Sequence, residues 1–355
     1  MRLLILLFLL LLVVTATKAA IRTVSNNPNV PAQYDNLQTA INDSDVGDTV
    51  YVSWSLTSYG HISLPKRLVI IGDGYNQGLA GRSATLDDLT LSQVDDDNNC
   101  SESVIQGLSI NRLLIGIPTT GKSIEDLYIL RIRIRNATYF YSLGGAIHKL
   151  HTDWYFKDCI FESTVFFASN AANRFVGAED MIFSNCAFLN QLQYMGNPAA
   201  FINSLFSDFW KSTDMFIGVE NALFTSCIFL SPPRGLENST FNNCLTYSSG
   251  NNTIPYGTNT GENNIIDENP LFVSLPVKTA GAFNFATHNL NLQSGSPAIG
   301  SGLDGVDMGV YGGENPIPDF SGEPSIPLIT SMTILNSVVG QDGSLRFKIN
   351  AKNNK

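Results

Sequence analysis

The chain has 355 residues and a formal net charge of −10, with 44% hydrophobic and 15% charged residues. A chain of this length exceeds the usual size of a single hydrophobic core unless that core grows along one axis. The excess of acidic residues disfavours nucleic acid as a partner and suits a neutral partner, a cationic partner or one bridged by cations.

The N-terminal segment is MRLLILLFLLLLVVTATKAA, with an unbroken apolar run from Leu3 to Val14 followed by small residues. A bilayer span needs about 20 apolar residues, so this run predicts a secretory signal peptide over residues 1–19. Removal of Arg2 and Lys18 leaves 19 basic against 31 acidic residues. No later segment has the length and apolar purity of a transmembrane helix. We therefore expect a secreted protein, located outside the cell, in the periplasm or at the cell surface.

A short helix is predicted near the start of the mature chain. Asn36 provides a capping residue, and Gly47 is expected to end the helix. The apolar face of this helix consists of Leu37, Ala40 and Ile41. Strand-like segments follow at residues 48–54 and 67–72.

Between Asp153 and Tyr247 the chain repeats one pattern of an Asp or Asn, then Phe, two residues, Cys or Ser, one residue and usually Phe. Because a strand alternates faces with period two, the Cys and the second Phe point the same way. The first Phe joins them only if the chain bends in between. The bend falls on small polar turn formers, whose side chains we expect to form a hydrogen-bonded ladder: Asp158, Asn185, Asn203, Ser226 and Asn243.

Self-similarity without helical spacing predicts a solenoid whose coils stack and share one core. Earlier coils use aliphatic residues instead of Phe. We predict one inward-facing column through residues 108, 130, 159, 186, 204, 227 and 244. The alternative is a leucine-rich repeat, which has a similar period but usually needs a helical segment in each repeat. The segment 231–239 shows no helical period.

Five cysteines occur, and an odd number leaves at least one unpaired. Four of them share one repeat position: Cys159, Cys186, Cys227 and Cys244. We expect a column of small buried side chains. A disulfide between neighbouring rungs is the alternative, because a rung spacing of about 4.8 Å suits the bond. No paired Cys and His spacing indicates zinc.

The segments NLQTAINDSDVGDTVYV (36–52) and KRLVIIGDGY (66–75) resemble the start of right-handed parallel β-helix proteins of the pectate-lyase-like superfamily, where a helix caps the core. Three later segments resemble the closing coil of secreted bacterial β-helix proteins: NPLFVS (269–274), LNLQSGSPAIGSG (290–302) and VDMGVYGG (306–313). An Asp commonly follows the Ala-Ile pair there, whereas this chain has Gly300. The expected fold class is therefore an all-β, right-handed parallel β-helix (solenoid) with a short N-terminal capping helix and a small C-terminal β-hairpin tail.

Four segments are predicted along the chain. The signal peptide is followed by a β-helix domain at residues 20–313, a Pro/Gly linker at 314–327 and a hairpin tail at 328–355. An isolated hairpin is marginally stable, so we expect the tail to dock on the side of the solenoid. A monomer is expected.

The sequence LRIRIR (130–135) places three arginines at alternate positions: Arg131, Arg133 and Arg135. With the aliphatic residues between them facing inward, the arginines are expected to project outward along one strand. Such a basic stripe could bind a carboxylated or sulfated glycan through bidentate pairs. Pairing of the same strand face with nearby acids such as Glu125 and Asp126 is the alternative.

Polysaccharide lyases of the superfamily resemble one another in having a base, usually Lys or Arg, beside carboxylates that hold calcium against an acidic sugar. This resemblance makes Arg131, Arg133 and Lys149 candidates for the base. His148 and His151 flank Lys149 and are candidates for proton transfer, although two histidines in a loop are more often polar surface residues.

Two acidic motifs are further candidates. Asp95, Asp96 and Asp97 offer oxygen ligands to Ca²⁺ or form a solvated acidic loop. Asp87 and Asp88 resemble the paired carboxylates of polygalacturonase-type hydrolases. The Asn-Thr-Asp and Gly-His-Gly motifs of that family are absent from the sequence.

Three functions fit these observations. The prediction is a non-catalytic β-helix protein without a cofactor, which binds carbohydrate or has a structural or adhesive role at the cell surface. Its expected partner is a polysaccharide or cell-surface glycan. The first alternative is a calcium-dependent polysaccharide lyase acting on an acidic glycan. The second is an adhesin whose tail docks the chain to a partner.

Overall fold

The computed structural model describes residues 19–75, 83–92, 99–115, 123–142, 151–175, 177–208, 214–247, 253–275, 288–314, 316, 322–323, 327–335, 344 and 346–353. Within these ranges successive coils stack as a parallel β-helix, which confirms the predicted fold class. The predicted signal peptide lies outside the described residues except for Ala19. No helix within the described ranges has both the length and the apolar character that crossing a bilayer requires.

The first sheet contains ten parallel strands in the described part of the chain. Each pairs in register with the strand of the next coil, so side chains at equivalent positions stack along the axis. The strands are Ile21–Val24, Thr49–Val52, Val69–Gly72, Val104–Gln106, Tyr128–Leu130, Tyr155–Lys157, Met181–Ser184, Ala199–Ile202, Ala222–Thr225 and Thr240–Asn242.

The second and third faces share their first three strands, which are His61–Leu64, Thr85–Leu91 and Ser109–Ile115. Further along, the pairing divides into two branches. The second face continues through Arg133–Ile134, Ile160–Phe161, Ala187–Phe188, Leu205–Phe206, Ile228–Phe229 and Leu245–Thr246. The third face continues through Thr138–Ser142, Val165–Phe166, Leu192–Gln193 and Phe216–Ile217.

Smaller elements complete the described fold. Two short parallel pairs join His151–Thr152 to Ala178–Glu179 and Val219–Glu220 to Leu236–Glu237, and an antiparallel pair joins Phe272–Ser274 to Asn289–Leu292. The 3₁₀ segments are Ala171–Asn173 and Leu303–Gly305. Near the C-terminus, Pro327–Ile334 pairs antiparallel with Phe347–Asn353. This hairpin exposes Ile334, Leu335, Phe347 and Ile349, so these side chains do not show the docking expected for the tail.

The described α-helix, Leu37–Asp43, covers the N-terminal end of the core with the three apolar residues predicted for it. The Asn36 side chain accepts a hydrogen bond from the Thr39 amide and caps the first turn. The helix ends at Asp43 rather than near Gly47, because Ser44 is extended and its hydroxyl donates to the Ala40 carbonyl at 2.7 Å. A leucine-rich repeat usually has a helical segment in every repeat, whereas most of the described coils contain none.

The cysteine column is confirmed. Strand pairing places five residues at one rung position: Cys159, Cys186, Ser204, Cys227 and Cys244. All five cysteines of the chain are buried and free. One earlier member of the predicted column was wrong: Ile160 pairs with Arg133, so Ile132 and not Leu130 precedes Cys159 in the stack. The reason is that the chain bends at Arg131, where φ is +51°.

Two columns of phenylalanine rings fill the later coils. Along one column the centroids of successive rings lie 4.8 to 5.1 Å apart: Phe156, Phe183, Phe201, Phe224 and Phe241. The other column, at 4.8 to 5.0 Å, contains Phe161, Phe188, Phe206 and Phe229. Burial of one such ring stabilises the fold by about 2 kcal/mol, so these columns dominate the core.

The five predicted turn formers all have positive φ, between +47° and +58°. Their side chains do not form the predicted ladder with one another. Instead four of them bind residues 298–314, here called the strap, which runs back along the turns toward the N-terminal coils, and Asp158 binds Arg131. Asn243 donates to the Ser301 carbonyl, Asn203 to that of Asp307, and Asn185 to those of Val310 and Gly312.

The strap also covers an apolar strip on the outside of the second face. The outward-facing residues of that strip are Ile160, Ala187, Leu205, Ile228 and Leu245. They pack under Ala298, Met308 and Val310 of the strap and under Phe272 and Leu290 of the antiparallel pair. The segments predicted to form a closing coil therefore act in part as a lateral cover, because this strip needs burial as much as the interior does.

Candidate functional site

The predicted arginine stripe is interrupted at its first member. Arg131 occupies the turn position and is 7% exposed, so it does not project outward with the others. Its Nε lies 3.4 Å from Oδ2 of Asp158, and its Nη1 donates to the Glu323 carbonyl at 2.8 Å. Arg131 thus joins two coils and the C-terminal segment.

The two other arginines lie on the outside, where neighbouring groups engage them. Arg133 donates to Oε1 of Glu162 through Nε at 2.8 Å, and Arg135 donates to the Leu86 carbonyl at 3.2 Å. Burial lowers the pKa of Arg135 and raises that of Glu162. The alternative of pairing with acids is therefore seen for Arg133, with Glu162 in place of Glu125 or Asp126.

Several candidate residues lie outside the described residues: Asp95, Asp96, Asp97, His148 and Lys149. His151 is described and is a core residue, contrary to both interpretations of it as a catalytic or a surface group. Its Nδ1 accepts a hydrogen bond from the Ile124 amide at 3.1 Å, and its ring lies against Trp154. Burial lowers its pKa to about 4, so the ring is neutral at physiological pH.

A polar cluster lies where the second face bends into the third. His61, Asp88 and Arg112 occupy the same position in three successive coils. Arg112 binds Asp88 in a bidentate manner, with Nε 2.8 Å from Oδ1 and Nη2 2.6 Å from Oδ2. The His61 Nδ1 lies 2.8 Å from the same Oδ2.

Electrostatics in this cluster favour the charged forms of Asp88 and Arg112. The hydrogen bond between the two side chains lowers the pKa of Asp88 and raises the pKa of Arg112. The His61 side chain is oriented through Nδ1 yet is 74% exposed. An imidazole in open solvent provides hydrogen bonds at the surface and is not shielded from water as a catalytic base usually is.

Beside this cluster, the outer side of the third face carries four partly exposed aromatic residues, here called the platform: Tyr139, Tyr141, Phe166 and Tyr194. The rings of Tyr139 and Phe166 stack with centroids 5.1 Å apart and planes 5° from parallel. Tyr141 meets Tyr139 edge to face at 5.7 Å. Strand pairing holds the first two rings in register, because Tyr139 pairs with Phe166.

Hydrogen-bonding side chains border the platform. Gln193 pairs with Phe166 in the next coil, and its amide donates to Oε1 of Gln191 at 3.1 Å. On the other side, Tyr139 adds to the effect of Asp88 on the pKa of Arg112, which places the phenol near the guanidinium. A flat aromatic surface bordered by amides and charged groups can bind a ligand that has both apolar faces and hydroxyl groups.

The described residues provide little for metal chemistry. No group of three or more His, Cys, Asp and Glu side chains within the described ranges could hold a metal ion. Asp88 is one of the two predicted paired carboxylates, and Arg112 and His61 engage it. Ca²⁺ would need several oxygen ligands together, and the aspartates predicted to supply them lie outside the described residues.

The platform is not predicted by any sequence pattern described above. Its four residues come from three coils and share no motif, and each adjoins a buried core residue, namely Phe140, Val165 or Met195. An aromatic residue at an outward-facing strand position could have indicated the platform, because large apolar side chains are usually buried.

No family model matches the chain, and no curated protein matches its sequence. A crystal structure of the pectin methylesterase from Aspergillus niger aligns with 77% of this chain and 95% of that chain, at 12% sequence identity and a TM-score of 0.29.

Proposed function

We propose that this chain is an exported β-helix protein that binds polysaccharide without cleaving it, through the platform on its third face. The supporting observation is the parallel stack of Tyr139 and Phe166 on the outside of a rigid sheet. The core does not require these rings, because the adjacent residues Phe140 and Phe167 fill the interior. Partly exposed apolar surface with a polar border is typical of a ligand-binding face.

The charges favour a neutral glycan over an acidic one. Arg112 and Arg133 are each bound to a carboxylate of the same protein, Asp88 and Glu162 respectively. Such ion pairs leave little net positive charge to attract a carboxylated or sulfated sugar, and the chain as a whole is acidic. The aromatic rings, and not the predicted arginines, are therefore the main contacts for the glycan.

Affinity electrophoresis in gels containing soluble neutral or acidic polysaccharides tests the proposal. The wild-type chain is expected to be retarded by at least one neutral polysaccharide. Tyr139→Ala and Phe166→Ala should each weaken binding about tenfold or more, because loss of about 1.4 kcal/mol corresponds to a factor of ten. Tyr128→Ala is the matched control, since Tyr128 is an exposed aromatic residue on the first sheet. The proposal is contradicted if the wild type and the three variants are retarded equally. It is also contradicted if no polysaccharide retards any of them.

Incubation with pectate, alginate and chondroitin in the presence of calcium tests the non-catalytic part. No unsaturated product is expected to absorb in the ultraviolet. Product that forms with the wild type and is lost in Arg133→Ala would establish the lyase alternative. Binding that persists with a chelator and without product supports the proposed function.

A further inference from the structure

A groove of about 300 Å³ lies on a different side of the molecule, between the outside of the first sheet and the strap. The sheet supplies Tyr155, Lys157, Ser184 and Ile202, and the strap supplies Asp304 and Glu314. This volume is at the lower end of the range for small-molecule sites. The groove is separate from the platform, which lies on the third face.

The groove is formed in advance because its strap wall is fixed to the coils. The Leu303 amide donates to the Ser226 hydroxyl at 2.9 Å, and the Gly309 amide donates to the Ser226 carbonyl at 2.9 Å. Within the strap, the Gly302 amide donates to the Val306 carbonyl at 2.8 Å and closes a tight loop with Asp304 at its tip. A wall held by several hydrogen bonds loses little entropy when a ligand binds.

Charges of both signs face this groove from opposite walls. Lys157 belongs to the sheet, whereas Asp304 and Glu314 belong to the strap. Among the residues that the structure describes, Arg112, Arg131 and Arg133 pair with carboxylates, but none of the three charged groove residues takes part in an ion pair. Opposite charges on two fixed walls suit a ligand that carries both a cation and an anion.

We propose that the groove binds a small zwitterion with an ammonium group and a carboxylate, such as an amino acid or the end of a short peptide. The ligand carboxylate contacts Lys157, and its ammonium group contacts Asp304 and Glu314. Ile202 offers an apolar contact for the ligand's side chain, and Ser184 offers a hydroxyl. This binding activity is additional to polysaccharide binding and does not depend on it.

Isothermal titration with alanyl-alanine tests the site, with two modified ligands as comparisons. N-acetyl-alanyl-alanine lacks the ammonium group and alanyl-alanine amide lacks the carboxylate, so each should bind the wild type at least about tenfold more weakly. Titration with free alanine distinguishes an amino-acid ligand from a peptide end: the longer ligand should bind more tightly if a peptide is preferred.

Variants of the charged groove residues test which wall binds each charged group of the ligand. Lys157→Met should weaken alanyl-alanine binding to the level of the amide and leave binding of the amide unchanged. The double variant Asp304→Asn, Glu314→Gln should weaken it to the level of the acetylated peptide. Asn tolerates the positive φ of +59° at position 304, so the loop should remain intact. Lys348→Met, in the exposed hairpin, is the control.

Two outcomes overturn the inference: absence of measurable heat for alanyl-alanine at millimolar concentration, or equal affinity for all three peptides in every variant. Polysaccharide retardation should be the same for Lys157→Met and the wild type. Failure of one site can therefore be distinguished from failure of the other.

Discussion

Asp158 and Arg131 form a buried ion pair between two successive turns, in the column that elsewhere contains asparagine and serine. Only Oδ2 of Asp158 contacts the guanidinium, and Oδ1 has no hydrogen-bond partner in the described part of the chain. Burial raises the pKa of Asp158 from 3.8 to about 6, against the opposing effects of Lys157 and Arg131. Ionisation of this carboxyl is thus less favourable in the folded chain than in the unfolded chain.

This raised pKa predicts a stability that falls as the pH rises. The folded chain binds the Asp158 proton more tightly than the unfolded chain, so the contribution is fully present below pH 3.8 and is lost by about pH 6. Asp158→Asn should remove a contribution of about 2 to 3 kcal/mol that changes over this window. Urea unfolding of both proteins from pH 4 to pH 6 measures the difference. Parallel stability profiles would contradict the prediction.

His151 should show the opposite dependence. Its pKa is lowered from 6.5 to about 4, so its contribution is fully present above pH 6.5 and is lost as the pH falls toward 4. His151→Gln keeps an acceptor for the Ile124 amide and should remove a change of about 3 kcal/mol over this window. The effects of His151 and Asp158 oppose each other in the wild type. The double variant should therefore have a flatter profile than either single variant.

The strap should loosen when its turn contacts are removed. Asn185→Ala loses two hydrogen bonds to strap carbonyls and places alanine at a φ of +54°, which should cost about 3 kcal/mol of unfolding free energy. Asn263→Ala is the control, because Asn263 is exposed, has a φ of +58° and should lose only about 1 kcal/mol. Hydrogen exchange of the amides of residues 303–312 should accelerate in Asn185→Ala alone. Equal exchange in both variants would show that Asn185 does not hold the strap.

The buried thiols should resist modification in the native protein. Burial raises the pKa of Cys100 to about 12 and those of Cys186 and Cys244 well above their usual value, so thiolate is scarce. A disulfide reagent should find no rapidly reacting thiol in the folded chain and five after denaturation. Three or one after denaturation would indicate disulfides between rungs, such as Cys159 with Cys186.

The later coils could be predicted because one spacing encodes them. In each repeat, the first Phe and the Cys both face inward, lie three positions apart in the sequence and have a bend between them. The same spacing occurs earlier at Ile129, Ile132 and Ile134, all buried. It was misread as simple alternation from Leu130, because arginine is not a usual turn former and concealed the bend at position 131.

The platform and the strap contacts could not be predicted in the same way. The platform depends on the register of coils whose loops differ in length, so the sequence distance between Tyr139 and Phe166 does not indicate that their rings stack. The strap binds asparagine side chains mostly through its carbonyl groups, which every residue type provides. Sequence patterns report side-chain periodicity well and backbone partners poorly.

The strap runs opposite to the direction in which the coils accumulate: its residues 301, 307 and 310 meet turns 243, 203 and 185 in that order. The length of the strap therefore matches the number of turns that it contacts. Deletion of one coil would make the strap too long for the remaining turns, and insertion of one coil would leave a turn without a strap contact. A coil can therefore be added or removed without loss of these contacts only if the strap changes in length with it.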